Sequence, residues 1–112
     1  METNRLALLR QAMTAYSLRS RTLAANVANI ETPGYQRLGV SFEDALQRAR
    51  RLPDSEHLRR AAQPRVQVEE RPPLLEDELM EVADTQMRTQ LATRALSHHF
   101  ALMRSGITGR SE

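Results

Sequence analysis

The chain has 112 residues, enough for one domain, with 16 basic and 14 acidic residues, a net charge of +2, two Phe, two Tyr, no Trp and no Cys. That composition excludes disulfide and thiolate chemistry. It argues against a strongly basic nucleic-acid surface and leaves little aromatic bulk for a dense monomeric core.

From Leu6 to Ile30, apolar residues recur at alternating spacings of three and four: Leu6, Leu9, Met13, Tyr16, Leu23, Val27 and Ile30. Only Ser20 breaks the series. This is a heptad seam, and it predicts a first long helix of about 37 Å at 1.5 Å per residue. An ordinary amphipathic core helix gives nearly the same pattern. Either way, a seam this long requires a partner, in the same chain or another. Asn26 and Asn29 sit three apart and share one face of the last turns. Asn is a poor interior helix residue, because its amide competes for backbone groups. Asn29 reads as a C-terminal cap, and Asn26, a turn earlier, as an amide bonding something outside the helix. Pro33 lacks an N–H and pushes Thr32 out of the α region, so the helix is expected to end by about there. Thr32-Pro33-Gly34-Tyr35 fits a type II turn, with Gly34 at positive φ. Residues 1–35 form the first unit.

Residues 36–73 form a connector. Ser41-Phe42-Glu43-Asp44 resembles a capping box with Asp in place of Glu. It predicts a short helix from Phe42 to Leu52, ended by Pro53. Pro53-Asp54-Ser55-Glu56 starts a second short turn or helix carrying Leu58, and Pro64 stops it. Arg65-Val66-Gln67-Val68-Glu69 alternates apolar and polar residues, as an extended segment or a lone strand does. Six Arg and six acids share the region between residues 43 and 70, so its positive charge is diluted.

Residues 74–112 form the second long helix, from Leu74 to about Ile107. Pro73 suits its start. Glu76, Asp77, Glu78, Glu81 and Asp84 crowd its first turns, in keeping with the helix dipole. Gly106 and Gly109 read as stop signals. Leu75, Leu79, Val82, Leu96, Phe100 and Met103 mark one packing stripe. Met80, Met87, Leu91 and Leu102 belong to a second. A helix with two apolar stripes meets more than one partner, either the connector folding back or another molecule. Antiparallel pairing of the two long helices would bring the acidic start near Arg19 and Arg21.

Catalytic patterns are missing from the sequence. No Gly-x-Ser-x-Gly elbow or glycine-rich phosphate loop occurs. His98 and His99 are adjacent and so point about 100° apart on a helix, which does not suit a shared metal. No cofactor and no enzymatic activity are expected. Neither is a membrane span, since no segment reaches the roughly 20 apolar residues required. The N-terminus lacks the pattern of a cleaved signal peptide.

Leu23-Ala-Ala-Asn-Val-Ala-Asn-Ile-Glu-Thr-Pro-Gly-Tyr35, closing an N-terminal heptad helix, resembles the signature of bacterial flagellar axial proteins. That family comprises the rod, hook and hook-associated proteins. Its motif positions here are Asn26, Asn29, Thr32, Pro33, Gly34 and Tyr35. Leu79-Met80-Glu81-Val82-Ala83, Gln86-Met87-Arg88-Thr89-Gln90 and Phe100-Ala-Leu-Met-Arg-Ser-Gly-Ile107 are similar to the C-terminal helix of its proximal rod members. Glu70-Arg71-Pro72-Pro73 departs from the Gly/Asn turn that those proteins place before that helix.

The resemblance implies a mainly α fold, with N- and C-terminal helices paired as an antiparallel coiled coil around an irregular connector. It implies a structural subunit of the basal-body rod, assembled with itself and other rod subunits. It also implies passage through the flagellar type III export apparatus without a cleaved signal. A sister proximal rod protein is the nearest alternative, and a small helical adaptor or export chaperone is the rival outside the family.

Overall fold

The computed structural model describes residues 3–51 and 54–108. Helix α1, Asn4–Ala28, begins where the Thr3 hydroxyl accepts the Leu6 N–H at 3.1 Å. That bond satisfies one of the free donors of the first turn. Helix α4, Leu75–Thr108, is the longer partner. The two run antiparallel. Asn26 meets Glu78 at 2.9 Å near one end, and the Thr93 hydroxyl approaches the Met13 sulfur at 3.7 Å further along.

The seam of α1 faces inward. Leu6, Tyr16 and Leu23 are buried, and Leu9, Met13, Val27 and Ile30 are half-buried. Ile30 lies beyond the helix, however. The helix ends at Ala28, with Asn29 as its C-cap. The Asn29 N–H bonds back to Ala25 O, the Ile30 N–H to Val27 O and the Thr32 N–H to Asn29 O, so the chain has turned before Pro33 could stop it.

On α4 the buried residues are Glu78, Thr85 and Ala92, seven apart, with Val82, Thr89 and Leu96 half-buried beside them. The periodicity is heptad-like, but the seam is small and polar. Leu75, Leu79, Met87, Leu91, Phe100 and Met103 are exposed. The packing stripe read from apolar residues is therefore displaced around the helix. Two things displace it: small residues permit close approach of the backbones, and Glu78 is drawn inward by a buried arginine. Gly106 does not stop α4, which continues to Thr108. An exposed helix end tolerates a glycine at a cost of about 1 kcal/mol. Gly109 lies outside the described residues.

The connector is more regular than its sequence suggests. It contains strand β1 (Leu38–Ser41), helices α2 (Glu43–Ala49) and α3 (Ser55–Ala61), and strand β2 (Arg65–Val68). The expected lone strand has a partner. β1 and β2 pair antiparallel, Leu38 opposite Val68 and Ser41 opposite Arg65. The capping box at Ser41 does not form, because Ser41 belongs to β1. Phe42 takes the N-cap position of α2 without a side-chain bond, its ring going into the core instead. Asp54 does cap α3, accepting the His57 N–H at 2.9 Å. Helix α2 ends at Ala49 with Arg50 as its C-cap, so it stops three residues short of the expected Leu52. Leu52 and Pro53 themselves lie outside the described residues.

Phe42, Ala49, Leu58 and Ala62 from the connector close over Ala7, Ala12, Ala15 and Tyr16 of α1, and Ala92 of α4 completes the cluster. Tyr16 and Phe42 meet edge to face, centroids 6.3 Å apart. The connector thus covers α1 and leaves the outer stripe of α4 (Met80, Met87, Leu91, Leu102) exposed. Arg19 ties the layers together. It grips the Glu43 carboxylate with two bonds of 2.7 and 2.8 Å and donates to Val40 O at 2.9 Å. So Arg19 pairs with the connector's Glu43 while lining one cavity with Glu81 and Asp84 of α4, and Arg21 stays exposed.

Phe42 is the one large aromatic fully inside this alanine-rich cluster. Phe42→Ala is expected to cost about 3–5 kcal/mol, read as a lower urea midpoint with an unchanged m-value.

Candidate functional site: the polar junction and the outer face of the last helix

The turn after α1 is built by its own side chains. Asn29 donates to Ala25 O at 2.9 Å and accepts from the Thr32 hydroxyl at 3.0 Å. The Tyr35 N–H reaches Thr32 O at 3.2 Å across Pro33 and Gly34, and Gly34 has φ +77°. That is the conformation a type II turn demands of its third residue.

Asn26 holds the turn to the rest of the fold. Its side chain is fully buried. The amide forms a two-way pair with the Leu38 backbone, donating to Leu38 O at 2.8 Å and accepting the Leu38 N–H at 2.9 Å. It also accepts from the Tyr35 hydroxyl at 3.2 Å and donates to Glu78 at 2.9 Å. All four bonds an amide can make are present. A helical side chain thereby serves as the edge partner for the first residue of β1.

Arg37 completes the junction and is almost wholly buried. It forks onto Glu78 with bonds of 2.9 and 2.8 Å, reaches Glu81 at 3.0 Å and meets Glu69. Its backbone is bracketed as well, the N–H to Arg71 O and the C=O from the Glu69 N–H, both at 2.9 Å. Burial pushes the Glu78 carboxyl up. Hydrogen bonds from Arg37 and Asn26, and the positive charges of Arg37 and Arg71, outweigh that and hold it below the usual glutamate range. The bond to Glu78 raises Arg37 in turn, against its own desolvation. Both groups are therefore charged in the fold. Beside them a cavity of about 220 Å³ is lined in part by Thr22, Arg37, Glu81 and Thr85. The Thr85 hydroxyl is buried there without a protein partner, a setting polar and roomy enough for ordered water.

Among the motif residues, Asn26, Asn29, Thr32 and Tyr35 are joined by these bonds, while Pro33 and Gly34 shape the exposed turn. Arg37, Glu69, Glu78 and Glu81 were not singled out from sequence. The available signal was Asn26 itself, an amide in a helix that needs four partners. A second was Glu78, the acid in seven-residue register with Thr85 and Ala92.

Residues 6–36 match the family model described as Flagella basal body rod protein. This stretch carries the flagellar rod signature. It covers nearly all of α1 and the whole turn, and it stops one residue before Arg37. The family match therefore contains Asn26 and Tyr35, while the arginine and glutamates that lock them lie outside it. No curated protein matches the chain. Among the described residues no helix is long and apolar enough to cross a membrane.

Two outcomes follow from this geometry. The folded Glu78 carboxyl holds its proton less tightly than the unfolded one, so protonation favours unfolding. Its contribution is complete above the ordinary glutamate pKa of about 4.3 and is lost as pH falls through the lower folded value. Urea midpoints measured down the acid range should therefore decline, and the decline should flatten in Glu78→Gln. Gly34→Val forces a β-branched residue into positive φ, at a cost of about 1–3 kcal/mol. The same unfolding assay reads that loss.

Proposed function

We propose that this chain is a structural subunit of the proximal rod of the bacterial flagellar basal body. The observation that carries the reading is the rod-family match over α1 and its turn, on a chain whose last helix exposes an apolar stripe. Packed subunits would bury Met80, Met87 and Leu91. Leu75, Leu79, Phe100 and Met103 would then act as packing residues between subunits, not within one. The seam Leu6, Leu9, Met13, Tyr16, Leu23, Val27 and Ile30 holds each subunit's own pair of helices. The work is mechanical: the turn Asn29–Tyr35 redirects the chain from the inner helix pair to the outer connector.

Within the family the reading is FlgB rather than its sister FlgC. The Thr32-Pro33-Gly34-Tyr35 ending and the Phe100–Ile107 segment support it. Partners are other copies and neighbouring rod subunits, reached after passage unfolded through the flagellar export apparatus. A small aromatic-poor core suits a chain that folds fully only on docking.

A deletion strain tests this directly. It should still build the motor's membrane ring but assemble no rod on it, and the plasmid-borne chain should restore both rod and swimming. Normal rods in the deletion strain would refute the reading. A stable, non-assembling monomer that captures other axial subunits would point to the adaptor class.

A further inference from the structure

The cavity beside Arg37 lies where α1, β1 and α4 meet, and its floor and rim differ in chemistry. Thr22, Leu23 and Thr85 form the floor, all nearly inaccessible to solvent. Glu69, Glu81 and Asp84 form the rim, with side chains 41%, 47% and 48% exposed. One polar atom on the floor has nothing to bond. Thr22, Thr89 and Thr93 each donate their hydroxyl to the carbonyl four residues back, at 2.8 Å, a route open to any helical threonine. Thr85 does not take it, and its oxygen is buried without a partner. A buried hydroxyl in that state costs the fold stability unless something in the cavity meets it. The volume of about 220 Å³ is far more than one water needs.

Charge sets the sign of an occupant. The three rim carboxylates stand against two guanidiniums, Arg19 and Arg37. Both guanidiniums are engaged already, Arg19 by Glu43 and Val40 O, Arg37 by Glu78, Glu81 and Glu69. Further out, Arg71 lies beside Glu69 but is matched by Asp77, and Arg88 is matched by Glu43, so the excess stays negative. Glu81 uses Oε2 on Arg37 and Asp84 uses Oδ2 on Arg88; the second oxygen of each accepts no hydrogen bond from the described residues. Glu81 and Thr85 are one helical turn apart and share a face of α4. Among the described residues no three acids or histidines are placed to hold a metal ion. The cation that fits therefore brings its own hydrogen-bond donors, and Leu23 and Val40 offer an apolar wall to its stem.

We propose that this cavity is a binding site for an alkylammonium or alkylguanidinium group. The head sits between Glu81 and Asp84 and donates one N–H to the Thr85 hydroxyl, while the stem lies against Leu23 and Val40. Charge-assisted bonds to the two carboxylates supply affinity. The Thr85 hydroxyl, which accepts as well as donates, selects a cation that carries donors over one that does not. Such a group arrives on a free small cation or on a lysine or arginine of a partner protein, and the chemistry of recognition is the same. The inference goes beyond the rod-subunit reading and stands whether or not that reading does.

The full chain is titrated with n-butylammonium and n-butylguanidinium chlorides, with n-butanol as the uncharged control, and followed by nitrogen-15 NMR. The expected result is a saturable shift of the Gly39, Asp84 and Thr85 amides with a cation and none with butanol. Thr85→Val keeps the shape of the buried side chain and removes the unpartnered hydroxyl. It should hold or raise the urea midpoint while weakening binding several-fold. Asp84→Asn, on the exposed rim, should weaken binding several-fold by itself. A Gly-Arg-Gly peptide that binds several-fold more tightly than butylguanidinium assigns the group to a partner's side chain; equal or weaker binding assigns it to a free small cation, and either upholds the site. No saturable shift with any cationic probe, or binding that neither variant changes, overturns the proposal and leaves the cavity to water.

Discussion

A buried arginine–glutamate bridge holds this fold in register. Arg37 and Glu78 are both almost inaccessible to solvent, and each needs the other. Removing one member of such a pair costs about 3–5 kcal/mol, because the survivor is left charged and dry. The bridge is further constrained by Asn26, which spends one amide proton on Glu78 and its remaining bonds on Leu38 and Tyr35. The end of α1, the turn, the start of β1 and the first turns of α4 thus share one hydrogen-bonded network. None can shift alone without leaving a buried polar group unpaired.

Away from that junction the packing is light. Six of the nine buried cluster residues are alanine, which bring helices close but remove little apolar area from water. The large apolar side chains of α4 sit outside, on surfaces the connector does not reach. The division suits a subunit whose own fold is specified by polar geometry and whose apolar burial is left to assembly.

Much of this was legible in the sequence, and the failures have physical causes. The heptad spacing from Leu6 to Val27 marked α1, and Thr32-Pro33-Gly34-Tyr35 marked the turn, because helix periodicity and proline–glycine chemistry are local. Strand β1 was not legible. Leu38-Gly39-Val40-Ser41 has no strong alternation, and it becomes a strand only because β2 and Asn26 offer it partners distant in sequence. The residues of α4 that meet α1 were not legible for the same reason. Hydrophobicity favoured Leu75, Leu79 and Phe100, while contact with α1 falls on Glu78, Thr85 and Ala92. Burial there is decided by a charge in another element. Arg37 gave no signal in a chain with 16 arginines; only its position against Glu78 distinguishes it.

The separation of the lock's parts has a consequence for how the chain matures. Glu78 lies 52 positions from Asn26 and 41 from Arg37. Whichever end of the chain folds first, neither half can satisfy its buried donors or acceptors until the other has joined it. Loop closure over such spans carries its entropic cost before any bond repays it. A partly folded chain therefore stays pliable, and it stiffens only once the distant halves of the network have met.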